Sequence, residues 1–181
     1  MPAEIFSCHV GAMSESANRN IKTQVPSWLS LTLCLLLTYL PALMGIRFGP
    51  DAWYRSLERP IGNPPNWVFG PVWTTLYLMM GVAVWLVWSS GPWRSVRAAI
   101  ALFTFQLVVN TGWSWLFFGQ HAIGWALVDL LVLVVLVMAT IVIFRRHSST
   151  AAALLFPYVA WLVFAGYLNG AYWLLNRGSG G

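Results

Sequence analysis

Five long apolar runs divide the chain, separated by polar or proline-rich segments. The runs cover residues 28–46, 67–88, 96–118, 123–144 and 151–175. Each is close to the roughly 20 residues that a helix needs to cross a bilayer. Their continuous apolar character argues against barrel strands, which are shorter and alternate between apolar and polar residues. The pattern predicts an all-α integral membrane protein, built as a bundle of five transmembrane helices.

The connecting segments differ in length. Those at 89–95, 119–122 and 145–150 are short, so they predict antiparallel neighbours. The segment at 47–66 is long and rich in proline, glycine and aromatic residues. Because a long ordered loop in a compact bundle is usually functional, we expect this segment to contribute to a site.

The two ends of the chain are polar. Residues 1–27 contain mixed polar and charged side chains, with no basic segment followed by an apolar one. We therefore expect a disordered N-terminal extension over 1–27 without a cleaved signal peptide. The transmembrane domain is predicted at 28–177, and a flexible tail at 178–181.

Composition agrees with a membrane protein. The chain of 181 residues is 59% hydrophobic and 8% charged, whereas about 25% of the residues in soluble domains are charged. The net charge of +5 comes from basic residues scattered through short loops, which does not indicate nucleic-acid binding. With the predicted spans, six basic residues lie on the side of the N-terminus and four on the other. This bias predicts an inside N-terminus and an outside C-terminus.

Polar side chains inside the predicted helices are costly in lipid and therefore informative. Gln106, Asn110 and Ser114 recur every four residues, which places them on one face, pointing into the bundle. They could bond neighbouring helices, line a site, or do both. For Asp129 we expect a structural hydrogen bond to a neighbouring helix. A proton relay is disfavoured, since no other predicted span contains an acid or histidine.

Aromatic residues recur at helical spacing on two runs. Trp73 and Tyr77 share a face of the second run, and the fifth run has a face with Ala165 between aromatic residues at both ends. Packing within the core is the more common use of such aromatics. A small residue between them can also leave room for a flat ligand.

Several motifs carry a family resemblance. The first loop reads Trp53-Tyr54-Arg55-Ser56-Leu57-Glu58-Arg59-Pro60, followed by Pro64-Pro65 and Trp73-Thr74-Thr75-Leu76-Tyr77. Later segments contain Asn110, Trp113, Phe117 and Phe118, then Pro157-Tyr158, Trp161 and Tyr167-Leu168-Asn169. In this order, over about residues 28–177, they resemble the tryptophan-rich sensory protein or translocator protein family (TspO/MBR, the peripheral-type benzodiazepine receptor family). Two positions depart from the family pattern: Gly62 replaces a tryptophan and Arg59 a lysine.

The resemblance implies a five-helix bundle, often a homodimer, with a ligand cavity under the first loop. Family members bind porphyrins, haem, benzodiazepine-type drugs and in some cases cholesterol. The implied function is a sensor or regulator that binds tetrapyrroles such as protoporphyrin or haem as ligands, without an obligatory cofactor or a metal site. The implied ligand contacts are Trp53, Tyr54, Trp73, Asn110, Trp161 and Ala165. Arg55 and Arg59 are candidate partners for the propionates of a tetrapyrrole.

Two other functions remain open. The family has been linked to light- and oxygen-dependent porphyrin degradation, in which Trp53 or Trp161 could take part. The other alternative is transport of porphyrins or sterols. Leu168, Tyr172 and Arg177 fit a loose cholesterol pattern, although a tyrosine and an arginine at a membrane interface produce it by default. No nucleophile or paired carboxylate indicates conventional catalysis, and no catalytic residue is predicted.

Overall fold

The computed structural model describes residues 27–178, and its long segments are helical. Five stretches of this part of the chain are long and apolar enough to cross a membrane: Ser27–Arg47, Asn66–Ser89, Trp93–Gly119, Ile123–Arg145 and Ser149–Asn176. They confirm the predicted all-α membrane fold. The predicted extension at 1–27 and tail at 178–181 lie outside the described residues, apart from Ser27 and Gly178.

The first span consists of two helices, α1 (Ser27–Thr38) and α2 (Leu40–Arg47). The single helix predicted at 28–46 is therefore wrong in this detail. The break falls at Tyr39 because Pro41, in the first turn of α2, has no N–H to continue the hydrogen bonds of α1. The Tyr39 hydroxyl donates to the carbonyl oxygen of Thr74 at 2.7 Å, which ties the break to the second span.

The remaining helices follow the predicted runs with local departures. They are α3 (Ala52–Ser56), a 3₁₀ turn (Asn66–Val68), α4 (Phe69–Ser89), α5 (Trp93–Ser114), a π-helical turn (Trp115–Gly119), α6 (Ile123–Arg145), α7 (Ser149–Ala153) and α8 (Phe156–Asn176). The fifth predicted helix is divided into α7 and α8, since Pro157 lies in the first turn of α8. Helix α5 packs on α2, α4 and α6, while α6 also packs on α7 and α8.

The unit formed by residues 31–178 is filled by side chains at one end of its helices. Val87, Val96, Phe144, Ala151 and Leu155 are almost completely buried there. These residues come from the end of α4, the start of α5, the end of α6 and the segment before α8. The opposite ends of α4, α5 and α8 line a cavity instead. The fold therefore places the open space beside the long first connection.

Candidate ligand-binding site

A cavity of about 380 Å³ lies between α2, α4, α5 and α8. Its volume falls within the roughly 300–1,000 Å³ typical of small-molecule sites. Aromatic side chains form much of its wall: Tyr39, Phe48, Tyr54, Phe69, Trp73, Tyr77, Trp113, Phe117, Phe118 and Tyr172. Few polar side chains interrupt this wall, so the cavity suits a largely apolar guest.

A chain of hydrogen bonds crosses the inner end of the cavity. The Tyr77 hydroxyl donates to Asn110 Oδ1 at 3.1 Å, and Asn110 Nδ2 donates to the Tyr158 hydroxyl at 3.0 Å. Asn110 and Tyr158 are buried, and Trp73 stacks on Tyr77 with ring centroids 5.2 Å apart. These hydrogen bonds join α4, α5 and α8, and Tyr77 and Asn110 also line the cavity. Asn110 therefore both bonds side chains of neighbouring helices and lines the cavity.

The other polar residues inside the spans differ in their surroundings. Gln106 is buried, and Ser114 lines the cavity, so the inward face predicted for α5 is confirmed. The hydrogen bond expected for Asp129 is not found at Oδ2, which is buried and unbonded within residues 27–178. Asp129 Oδ1 lies 3.3 Å from the position that a β-carbon on Gly112 would take. Asp129 therefore packs against the glycine backbone of α5.

The π-helical turn brings an aromatic cluster under the first connection. Phe117 packs edge-on against Tyr54 and Tyr172, at centroid distances of 6.2 and 6.0 Å. Trp113 Nε1 donates to Asn169 Oδ1 at 3.1 Å, and Asn169 Nδ2 donates to the carbonyl oxygen of Ile123 at 2.8 Å. Asn169 thereby fixes α8 to both α5 and α6 beside the cavity.

Residues 50–65, here called the lid, cover the outer end of the cavity through Pro50, Tyr54 and Asn63. Within the lid, Asp51 caps α3, because its Oδ1 accepts the Tyr54 N–H at 2.9 Å. Its Oδ2 lies 3.1 Å from His121 Nε2. The hydrogen bond from the Tyr54 N–H, with a smaller contribution from His121, holds the pKa of the Asp51 carboxyl below its ordinary value.

Helix α8 holds the lid at three places. The Tyr172 hydroxyl donates to the Tyr54 hydroxyl at 3.1 Å. Asn176 accepts the Glu58 N–H at 2.9 Å and donates to the Glu58 carbonyl oxygen at 3.1 Å, as a neighbouring β-strand would. The Tyr167 hydroxyl donates to the carbonyl oxygen of Ile61 at 3.0 Å. The lid is therefore an ordered part of the site.

Gly62 forms a tight turn in the lid. The Asn63 N–H donates to the carbonyl oxygen of Pro60 at 3.2 Å, and Gly62 has a φ of 81°. A positive φ at the third position of such a turn is characteristic of type II turns and favours glycine. The residue that departs from the family pattern thus occupies a position where a tryptophan would strain the backbone.

The structure brings four of the six predicted contacts into the cavity wall: Tyr54, Trp73, Asn110 and Ala165. Trp53 belongs to the lid itself, where its ring stacks on His121 and packs edge-on against Phe117. Trp161 does not line the cavity but packs against Phe69, which does, with ring centroids 5.7 Å apart. Arg55 and Arg59 are exposed on the lid. For all eight residues, the role of ligand contact remains a prediction.

Sequence reasoning missed two residues that hold the lid. Asn176 continues the face of Ala165 and Tyr172 in steps of three and four but lies just beyond the last predicted apolar run, and His121 lies in a short link. Their partners are 118 and 70 residues away in the chain. Asn169 belongs to the Tyr167-Leu168-Asn169 motif, but its bond to Trp113 could not be deduced from that motif.

Comparison with known proteins places this arrangement in a family. The sequence model of the TspO/MBR family matches residues 30–174. The human translocator protein is 40% identical over 158 residues, covering 84% of this chain and 94% of that protein. The tryptophan-rich protein TspO of Archaeoglobus fulgidus is 44% identical over 126 residues, with 70% and 81% covered. TspO of Chlorobaculum tepidum is 40% identical over 153 residues, with 82% and 96% covered. The chain belongs to the TspO/MBR family of membrane proteins.

Proposed function

We propose that this protein binds a planar, largely hydrophobic ligand of the tetrapyrrole class, such as protoporphyrin or haem, and acts as a membrane sensor or regulator of its level. The observation that carries the proposal is the lidded cavity of about 380 Å³ with its aromatic wall. A tetrapyrrole has a wide π face and apolar edges, and aromatic side chains pack well against such a surface.

The cavity offers a place for the flat face of the ligand. Trp73 and Tyr77 both line the cavity, and their rings stack on each other with an angle of 29°. Ala165 lies in the cavity wall, where its small side chain leaves space that a larger residue would occupy.

Polar groups are available at defined places. Asn110 could bond a polar ligand atom at the inner end. Asn63 Oδ1, in the lid, is buried and has no hydrogen-bond partner within residues 27–178, so it could accept from a ligand donor. Propionates at the edge of a tetrapyrrole would need cations, which Arg55 and Arg59 on the lid supply.

A binding titration in the dark tests the proposal. Protoporphyrin IX is titrated against the purified protein in nanodiscs, with fluorescence quenching as the readout. Trp73→Leu removes a cavity ring, and stacking of about 0.5–1.5 kcal/mol predicts an affinity roughly two- to twelvefold weaker. The control is Trp125→Leu, since that ring is 70% exposed on the outer face of α6. The control should bind like the unmodified protein.

The same preparation separates the proposal from its alternatives. Absence of saturable binding, or equal affinity of both variants, would contradict it. Product formed only under illumination, faster than from free porphyrin, would support degradation. Net movement of protoporphyrin across sealed vesicles would support transport. Dark binding without product or flux would support a sensor or regulator.

A further inference from the structure

The imidazole of His121 contacts Asp51 and Trp53, which lie at the start of helix α3 in the lid. His121 lies in the link between the π-helical turn and α6. Its Nε2 is 3.1 Å from Asp51 Oδ2, and its ring stacks on Trp53 with centroids 4.0 Å apart and an angle of 16°. The contacts join segments that lie 70 residues apart in the chain. They are additional to the bonds between the lid and α8.

The backbone holds His121 in this place. Its φ of 55° lies in the left-handed region, which a residue with a β-carbon adopts only where its surroundings require it. On either side, the Gln120 N–H donates to the Trp115 carbonyl oxygen at 2.9 Å and the Ala122 N–H to that of Leu116 at 3.0 Å. The π-helical turn therefore fixes the link and presents the imidazole to the lid.

We propose that His121 is a positioning residue of the ligand site: it holds the lid closed through Asp51 and Trp53, and its charge makes lid opening dependent on pH. Where the readout is ligand exchange, the inference rests on the proposed function. Lid opening itself can be measured without a ligand.

The sign of the effect follows from the contacts. Neutral His121 can make one hydrogen bond and one stacking contact. When protonated, it also forms an ion pair with Asp51 and a cation–π contact with Trp53. Histidine side chains change charge between about pH 5 and 8. The lid is therefore held more strongly when His121 is charged, the state that histidines in general favour at the acidic end of this range.

Asp51 sets the acidic limit. Its carboxyl has a pKa below the ordinary value, so it stays ionised throughout the range in which histidines titrate. Asp51 loses its charge, and the ion pair is lost, only when the pH falls through the pKa that the Asp51 carboxyl has in the folded protein. The Asp51 carboxylate is thus available as an ion-pair partner throughout that range.

Four other charged residues lie near the lid, but none forms an ion pair with His121 or Asp51 within residues 27–178. The lid also carries Arg55, Glu58 and Arg59, and Arg177 borders the same outer groove between α6 and α8 as His121. The side chains of His121 and Asp51 are 40% and 43% exposed, so water screens their interaction. We therefore expect a modest factor, about two- to fivefold between the ends of the pH range.

Hydrogen exchange of the lid amides tests the proposal without a ligand. Exchange at residues 52–58 is compared between the unmodified protein and His121→Asn near pH 5 and near pH 8. Asparagine tolerates the left-handed backbone but carries no charge. Because both proteins share the intrinsic exchange rate of this segment, the ratio of their rates cancels it. His147→Asn, in the link between α6 and α7, is the matched control.

We divide the protection of these amides in the unmodified protein by their protection in His121→Asn. This ratio should be about two- to fivefold larger near pH 5 than near pH 8. Asp51→Asn should remove the pH dependence in the same way, since asparagine also caps a helix but carries no charge. His147→Asn should behave like the unmodified protein. A ratio for His121→Asn that is the same at both pH values would overturn the proposal.

Protoporphyrin IX supplies the second readout. Its dissociation from the unmodified protein, relative to His121→Asn, should slow near pH 5 by the same factor. An equal relative rate at both pH values would count against control of ligand exchange by His121. Absence of protoporphyrin binding at either pH would instead contradict the proposed function, and the exchange ratio would then decide the role of His121 by itself.

Discussion

Asn110 illustrates how far a single residue could be interpreted from the sequence. Its spacing with Gln106 and Ser114 predicts an inward face, and all three side chains lie there. The tyrosines that bond it lie 33 and 48 residues away, on α4 and α8. Spacing within one helix gives the direction of a side chain, but the partner depends on how three helices rotate against each other.

The bonds of Asn110 lead to a stability prediction. Hydrogen bonds between membrane helices average about 0.6 kcal/mol, so Asn110→Leu should lower the free energy of unfolding by about 1 kcal/mol. The measurement is denaturant unfolding in mixed micelles. Tyr158→Phe should cost less in the Asn110→Leu background than alone, since its partner is already gone. Additive losses would show that the two side chains are not coupled.

At the scale of elements, apolar continuity predicted five spans and missed their interruptions. Pro41 divides the first span and Pro157 begins α8, whereas hydropathy passes over both without a change of sign. The π-helical turn has the apolar composition of the helix that it ends, so nothing in the pattern marks it. Prolines mark positions where a helix can break, but neighbouring helices determine whether it does.

The lid was predicted as a functional loop, but its attachment to α8 was not. Asn176 makes two hydrogen bonds to the backbone of Glu58. Because Glu58 is exposed, water can replace these bonds, and Asn176→Ala should speed lid opening about fivefold rather than unfold the protein. Hydrogen exchange at residues 57–62 measures the effect. Leu175→Ala, at an exposed neighbouring position, is the control. Unchanged exchange in Asn176→Ala would mean that the other contacts hold the lid alone.

At the scale of the whole transmembrane unit, the central feature is the contrast between its two ends. From the middle of α5 toward its start the helices are closely packed, and the rings of Phe103 and Phe144 stack there with centroids 5.7 Å apart. Near the end of α5 the same helices surround a cavity. Hydropathy is high along every span, so the sequence could not show which end is hollow. The position of the cavity under the first loop was predicted from the family resemblance of the motifs.

Filling the cavity tests this account most directly. Ala165→Phe places a ring in the cavity wall, and Ala160→Phe makes the same change on the exposed side of α8. Each variant is titrated with protoporphyrin IX in the dark, after its unfolding midpoint has shown that it is folded. We expect Ala165→Phe to weaken binding at least about fivefold, since overpacking costs roughly 1–3 kcal/mol, and Ala160→Phe to bind like the unmodified protein. Equal binding by Ala165→Phe and the unmodified protein would place the ligand elsewhere and contradict the account.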